Sequence, residues 1–399
     1  MVDEYLRNID SCFNIFKIVG IYRPSGVHIG HKVYGFFSRL ILIDIFLVLQ
    51  TIYFFQVKNI IDFADLLSMQ LTYVGIAAKS YYVIFNFGTI VEVVSGLREL
   101  LIFASEYQIN FGDFIKKRMK NIRKVFVIYW STCPTSITLA FIMAMKDAQS
   151  APFMTQYKIY SPPFFNFEES YFYFVITEIY ANISAQFAST SAVAMDFLAV
   201  FFFSIGAGLL EELAARIEFI ETEISEEVKV KIHEGITIDE LNKCILIHTK
   251  IKKFLVAAQN LVSPIIFIQV VISTAVICTT CYTISMFSPA DGASVFFRQI
   301  TYMIPMGLQI FIPCYYGNEI MIAAEKFSMN IFHTKWYQGC KKFRTAFKTL
   351  LIHASQPLIM ISGILFQVTL ENFVTVSRLS YKFYAVMQNM NAKDGLMNN

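Results

Sequence analysis

Arg378 and Lys382 are the residues of this 399-residue chain whose types and spacing ask most insistently for a chemical explanation. They lie in an otherwise apolar stretch from Gly363 to about Met390. At helical spacing they share a face with Val386 and Asn389, at offsets i, i+4, i+8 and i+11. A charge at membrane depth costs on the order of 3 kcal/mol unless it meets water or a partner. The stripe is therefore expected to line an aqueous path. The plainer alternative is a helix that starts late, so that both cations reach an interface by snorkelling. Asp44, Glu178, Asp196 and Glu371 are acidic residues in apolar stretches that could mark an ion path or pair within a bundle, and only Glu371 shares the cationic stripe.

Other reactive residue types form no constellation. Cys278 and Cys281 make a CxxC, but it lies in an apolar stretch with no second pair and no nearby histidine, so buried small residues are expected rather than a metal or redox site. The 7 cysteines are scattered and odd in number, which argues against a disulfide framework. The 6 histidines lack metal-ligand spacing. With no phosphate loop, no HExxH and no nucleophile elbow, the chain is not expected to be an enzyme or to hold a cofactor or metal.

The elements that must position these residues follow from composition. With 56% hydrophobic residues, 40 Phe, only 16% charged residues and a mean hydropathy of +0.52, the chain falls far outside soluble norms. The lipid bilayer is thus its expected environment. A net charge of +3 spread over many loops gives no support for nucleic acid as a partner. Met1 to Arg7 is acidic and polar with no apolar core behind it, so no cleavable leader is expected and the first span acts as its own insertion signal. Apolar runs able to cross about 30 Å of hydrocarbon fall near 34–57, 64–95, 124–146, 170–209, 254–287, 296–324 and 358–390.

The expected fold is an all-α membrane protein with seven transmembrane helices. Lysine and arginine concentrate before span 1 and in the connections 2–3, 4–5 and 6–7, for example Lys116, Lys117, Arg118, Lys120, Arg123 and Lys124, while the other side holds Lys58, Lys146, Lys158, Arg298 and Lys393. The N-terminus is therefore expected to be cytoplasmic and the C-terminus extracellular. The organisation expected is a cytoplasmic segment 1–33, spans 1–6 over 34–324, cytoplasmic anchor helices over 325–357, span 7 over 358–390 and an outer tail 391–399. Asp147 to Ser170, with Ser161-Pro162-Pro163-Phe164-Phe165, reads as a lid. Cys340 to His353 is amphipathic, suited to a bilayer surface or to packing against copies of itself below the membrane; an anchor is favoured. Asn182-Ile183-Ser184 fits a glycosylation pattern but lies within span 4, where it is not expected to be used.

The segment Cys314-Tyr315-Tyr316-Gly317-Asn318-Glu319-Ile320, with Trp336 and then Gln356-Pro357-Leu358, resembles the C-terminal signature of insect odorant receptors. Ile18-Val19-Gly20-Ile21-Tyr22-Arg23-Pro24 and His248 extend it more loosely. The resemblance implies a plasma-membrane, ligand-gated, non-selective cation channel of four subunits in olfactory neuron dendrites. Each subunit would donate its last helix to a central pore, with most subunit contacts cytoplasmic. Gap-free alignment to the family's shared coreceptor puts Val386 at the hydrophobic gate, with Lys382 and Asn389 one turn inward and outward; a one-residue slip puts Ala385 and Gln388 there instead. The connection between spans 4 and 5 lacks the coreceptor's long insertion, so the chain looks like a tuning subunit that binds a small volatile odorant and forms a heterotetramer with the coreceptor. By the same resemblance the pocket lies in the outer half between spans 2, 3, 4 and 6. About two turns deep this gives Met69, Tyr73 and Ala77; Ser136, Ala140 and Met143; Phe174 and Ile179; and Thr301, Tyr302 and Pro305. Tyr73 and Tyr302 stand out, since a phenol offers both a ring face and a hydroxyl.

Three rivals stay open. A gustatory receptor of the same superfamily would place Gln six residues after Tyr in the last helix, whereas Tyr381 to Gln388 is seven and Asn389 replaces the expected Phe. A G-protein-coupled receptor needs an outside N-terminus, and a secondary transporter usually carries an internal repeat. Four copies of Lys382 around one axis, about 10 Å or less apart, would oppose cations. Poor conduction is thus expected from four copies of this chain alone.

Overall fold

In the computed structural model the described residues are 13–21, 29–106, 112–148, 153, 155, 157, 159–162, 166–226, 233–286, 293–338, 340–364 and 366–397; side chains are left out at 60–61, 219–226, 233–237, 293–295, 338 and 387–397. Tyr22 to Pro24, Pro163 to Phe165 and the Asn389 side chain lie outside this set.

Nine long helices dominate the described residues. They are α1 (Ile29–Phe54, with a π turn at Leu40–Asp44), α2 (Ile60–Phe85), α3 (Phe87–Glu106), α4 (Asp113–Asp147), α5 (Tyr171–Glu226), α6 (His233–Met286), α7 (Ala293–His333), α8 (Lys341–Ala354) and α9 (Leu370–Met397). At 1.5 Å per residue, α5 with 56 residues spans about 84 Å and α7 with 41 about 60 Å. Both exceed the roughly 30 Å of a hydrocarbon core. Among the described residues, α1, α4, Tyr171–Glu218 of α5 and Ile238–Met286 of α6 are long and apolar enough to cross a membrane.

The central pillar is α5. From Ser191 to Leu210 every side chain is buried, because Phe197, Phe201, Phe202, Phe203 and the alanines between them present apolar surface on all sides, and α4, α6 and α7 pack around it. The start of α4 is fixed by a neighbour rather than by its own sequence. Gly112 takes φ 108°, and the amides of Gly112 and Phe114 donate to Glu212 Oε1 of α5, each at 2.9 Å.

Two expected spans differ in detail. The stretch 64–95 is not one helix, since α2 ends at Phe85, Asn86 breaks the run and α3 follows. The last helix starts at Leu370, not near Gly363. Before it, Ile361–Ser362 pairs antiparallel with Phe366–Gln367. Gly363, at φ 61°, makes the turn that an L side chain rarely adopts, which is what apolarity alone does not reveal.

The amphipathic α8 buries Phe343, Phe347 and Leu350 against α6 and α7 of its own chain, with Phe347 stacked on Trp336 at 6.0 Å. Its apolar face is therefore packed against the chain's own helices. Together with the adjoining ends of α5, α6 and α7, it completes a helical region continuous with the main core.

Candidate ligand cavity and terminal helix

The cavity lies where α2, α4, α5 and α7 leave space between small side chains. It measures about 110 Å³ and is overwhelmingly apolar. Met69, Tyr73, Ser136, Ala140, Tyr302 and Pro305, six of the expected pocket residues, line it together. Alanines and serines of α5, among them Ala185, Ala188, Ser189 and Ala192, form the facing wall.

The remaining five expected residues sit elsewhere. Ala77 is buried one turn beyond Tyr73 in the same core. Met143 is half-buried without lining the cavity. Phe174 packs on Phe153 at 5.4 Å, beneath the connection after α4. Ile179 points outward, 46% exposed, and Thr301 donates to the carbonyl of Arg298.

The two tyrosines are held firmly. Tyr73 stacks on Phe46 at 4.5 Å, and its hydroxyl lies 3.0 Å from Ser184 Oγ. Ser184 in turn donates to the carbonyl of Leu42, so the hydroxyl of the Asn182-Ile183-Ser184 pattern is engaged inside the bundle. Tyr302 meets the hydroxyl of Thr72 at 2.5 Å.

Polar clusters close both ends of the cavity. At one end Asp65 accepts from Arg298 at 2.7 Å and from Gln299 at 2.5 Å. At the other, Lys79 donates to Asp196 at 2.8 Å and to Gln269, while Gln269 donates to Gln309 at 2.5 Å and Tyr129 to Asp196 at 3.3 Å. Arg298 and Gln309 are 11 residues apart on α7, so the clusters lie about 16 Å apart along it. Sequence reasoning left out Gln309, Gln299 and Arg298, all of which line the cavity.

The connection after α4 covers this half of α1. Tyr157 reaches inward to line the cavity, its carbonyl accepts from Gln50 at 3.1 Å, and the amide of Tyr160 donates to the carbonyl of Leu49 at 3.3 Å.

On α9, Phe373 packs 5.3 Å from Phe311, and Ser380 is buried. Glu371, Arg378, Lys382 and Val386 are exposed, Val386 by 53%. The helix thus turns its polar stripe away from α6 and α7 and seats the opposite face on them. Asp44 lies 3.7 Å from Arg39, and Asp196 is neutralised by Lys79.

A helical membrane bundle with a polar-capped apolar cavity and a terminal helix showing charges outward is an arrangement suited to a small-molecule receptor. A family model described as 7tm Odorant receptor matches residues 59–381, and the chain belongs to that family. Among curated relatives, Drosophila melanogaster odorant receptor 94a is 29% identical over 164 residues, 41% of this chain and 42% of that protein. Anopheles gambiae odorant receptor Or1 is 22% identical over 94% of both chains. The chain matches less than half the length of 94a. The olfactory receptor OR5 of Machilis hrabei shares the fold, with a TM-score of 0.74 at 14% identity over 97% of this chain and 98% of that one. A second structure of OR5, in complex with eugenol, gives 0.73 over 98% and 99%.

Proposed function

We propose that this chain is the odorant-binding tuning subunit of an odorant-gated, non-selective cation channel, assembled with a coreceptor as a heterotetramer in the plasma membrane. The observation that carries the reading is the apolar cavity bounded by Tyr73 and Tyr302, on a bundle whose final helix presents Arg378, Lys382 and Val386 outward. A volatile has few polar groups, so an apolar wall with one or two hydroxyls suits it. The OR5 relative has been solved with eugenol, a ligand of that kind.

The cavity is small. An engineered cavity of about 150 Å³ admits benzene, so about 110 Å³ matches a closed state that widens around ligand. Binding then favours the arrangement in which the helices part. α7 carries Tyr302 at one end and contacts α9 and α8 further along, which makes it the mechanical link to the gate at Val386.

In this reading α1, α2, α4, α5, α6, α7 and α9 cross the membrane, which puts the termini on opposite sides, and the concentration of lysine and arginine before span 1 and in the connections 2–3, 4–5 and 6–7 argues for a cytoplasmic N-terminus and an outer C-terminus. α2 carries Asp65 and Lys79, which lower its apolarity, and each meets an opposite charge from another helix. In this reading 1–33 and 325–357 are cytoplasmic, 34–324 holds spans 1–6, 358–390 leads into and includes the pore helix, and 391–399 is outside. Arg378, Lys382 and Asn389 flank the gate, while Met69, Ser136, Ala140 and Pro305 contact ligand.

The test is current recording from cells expressing this chain with and without a coreceptor under an odorant panel. Odorant-evoked cation current only in co-expressing cells is expected. A response that persists without the coreceptor and depends on a G protein would overturn the reading.

A further inference from the structure

A second cavity, of about 390 Å³, lies between α4, α5 and α7 toward the start of α4, away from the ligand cavity. Its base is an ion cluster. Arg118 grips Glu211 through two bonds of 2.7 Å and Glu319 at 3.1 Å. Lys124 lies six residues along α4 from Arg118, a rise of about 9 Å, and Ser204 lies seven residues back along α5 from Glu211, about 10 Å. Since the helices run in opposite directions, Lys124 and Ser204 reach one level on different walls, and both line the cavity.

Ser204 is the unusual member. A helical serine ordinarily donates to the carbonyl three or four residues back, as Ser191 does to Phe187 at 2.8 Å. Ser204 is 1% exposed, and its Oγ has no partner among the described residues. Leaving a buried hydroxyl without an acceptor carries a desolvation cost, and a ligand oxygen would remove it.

The outward face of α4 shows what ligand is at hand. Lys117, Lys120, Asn121 and Lys124 are exposed, and directly beyond them Val127, Ile128 and Trp130 are exposed too. A switch from basic to apolar side chains on one face marks the headgroup level of a membrane. The cavity opens at that switch, with Asn121 and Lys124 on its polar side and Val125, Phe311 and Ile312 on its apolar side.

We infer that this cavity is a phospholipid site, in which a phosphate oxygen accepts from Ser204 and Lys124 while an acyl chain follows Val125 and Phe311. Under the topology proposed above the lipid belongs to the cytoplasmic leaflet, although the site itself rests only on the cavity and its lining. Asn121 supplies a further donor, and Glu319 stays engaged by Arg118. The site is separate from the odorant cavity and takes a different chemical class.

The experiment uses the purified full-length receptor, delipidated, with thermal stability followed as dioleoyl phosphatidylglycerol is added. Stabilisation by this lipid is expected, with little from dioleoylglycerol, which lacks the phosphate, or from inorganic phosphate, which lacks the chains. Ser204→Ala and Lys124→Met should each raise the half-saturating lipid concentration roughly tenfold, the loss of one charge-assisted bond. Lys117→Met, on the same exposed face but outside the cavity, should leave it unchanged. Equal stabilisation by dioleoylglycerol or by phosphate alone, indifference to both cavity variants, or an equal loss in Lys117→Met would overturn the assignment. Lipid binding is read without odorant or coreceptor, so its failure is distinct from failure of the odorant-gating reading.

Discussion

Lys79 of α2 and Asp196 of α5 form an ion pair at 2.8 Å with 1% and 4% of their side chains exposed, joined through Gln269 to Gln309, which lines the ligand cavity. Neither charge has access to bulk water, so each depends on the other. Removing one partner of such a pair typically costs about 3–5 kcal/mol, whereas replacing both with apolar groups is often neutral. Lys79→Met or Asp196→Leu alone should sharply lower the melting temperature and yield of the purified receptor. The double variant should regain most of both. A double variant as unstable as the singles would show that the pair is not the source of the loss.

Ala185 and Ala188 of α5 face the cavity with almost no exposure. Leu at either position fills a large share of about 110 Å³. Odorant dose-response curves should move at least about tenfold to higher concentration, a cost of roughly 1.4 kcal/mol, while surface labelling shows the protein still assembled. Tyr302→Phe leaves Thr72 without its 2.5 Å partner, so it should weaken responses to oxygenated ligands more than to hydrocarbons.

Lys382 and Val386 are exposed on α9. If they face a shared pore, Lys382→Cys and Val386→Cys in the co-expressed channel should react with a hydrophilic thiol reagent and lose current. The chain expressed alone should conduct poorly, and Lys382→Gln should raise that current by removing a ring of like charge. Robust current from the unmodified chain alone contradicts this.

Gly363 and Gly317 fix the approach to α9. A Cβ on Gly363 would lie 2.4 Å from the Phe267 ring at a backbone φ of 61°, and one on Gly317 would lie 2.2 Å from the carbonyl oxygen of Val368. Gly363→Ala pays the left-handed penalty of about 1–2 kcal/mol in addition to moving the ring. Gly317→Ala must displace main chain and should be the worse of the two. Thermal unfolding of both variants, together with basal current, checks the order.

The long apolar helices and the amphipathic α8 were legible in the sequence because periodicity and length report them directly. The start of α9 was not, since Leu358 to Val368 is as apolar as a helix and only the φ of Gly363 distinguishes the hairpin. Depth counting brought Met69, Tyr73, Ser136, Ala140, Tyr302 and Pro305 to one cavity, but depth does not fix rotation about the helix axis. Ile179 therefore lies at a plausible level and faces outward. Tyr157 comes from an irregular connection whose path depends on long-range bonds to Gln50 and Leu49, which no local pattern encodes. Gln309 passed unnoticed because its partner Gln269 is 40 residues away.

The wall opposite the two tyrosines is built almost wholly from alanine and serine on α5. Such a surface is open to gradual change: each added methyl or methylene reshapes the space between the helices, while the buried ion pair and the aromatic supports stay untouched.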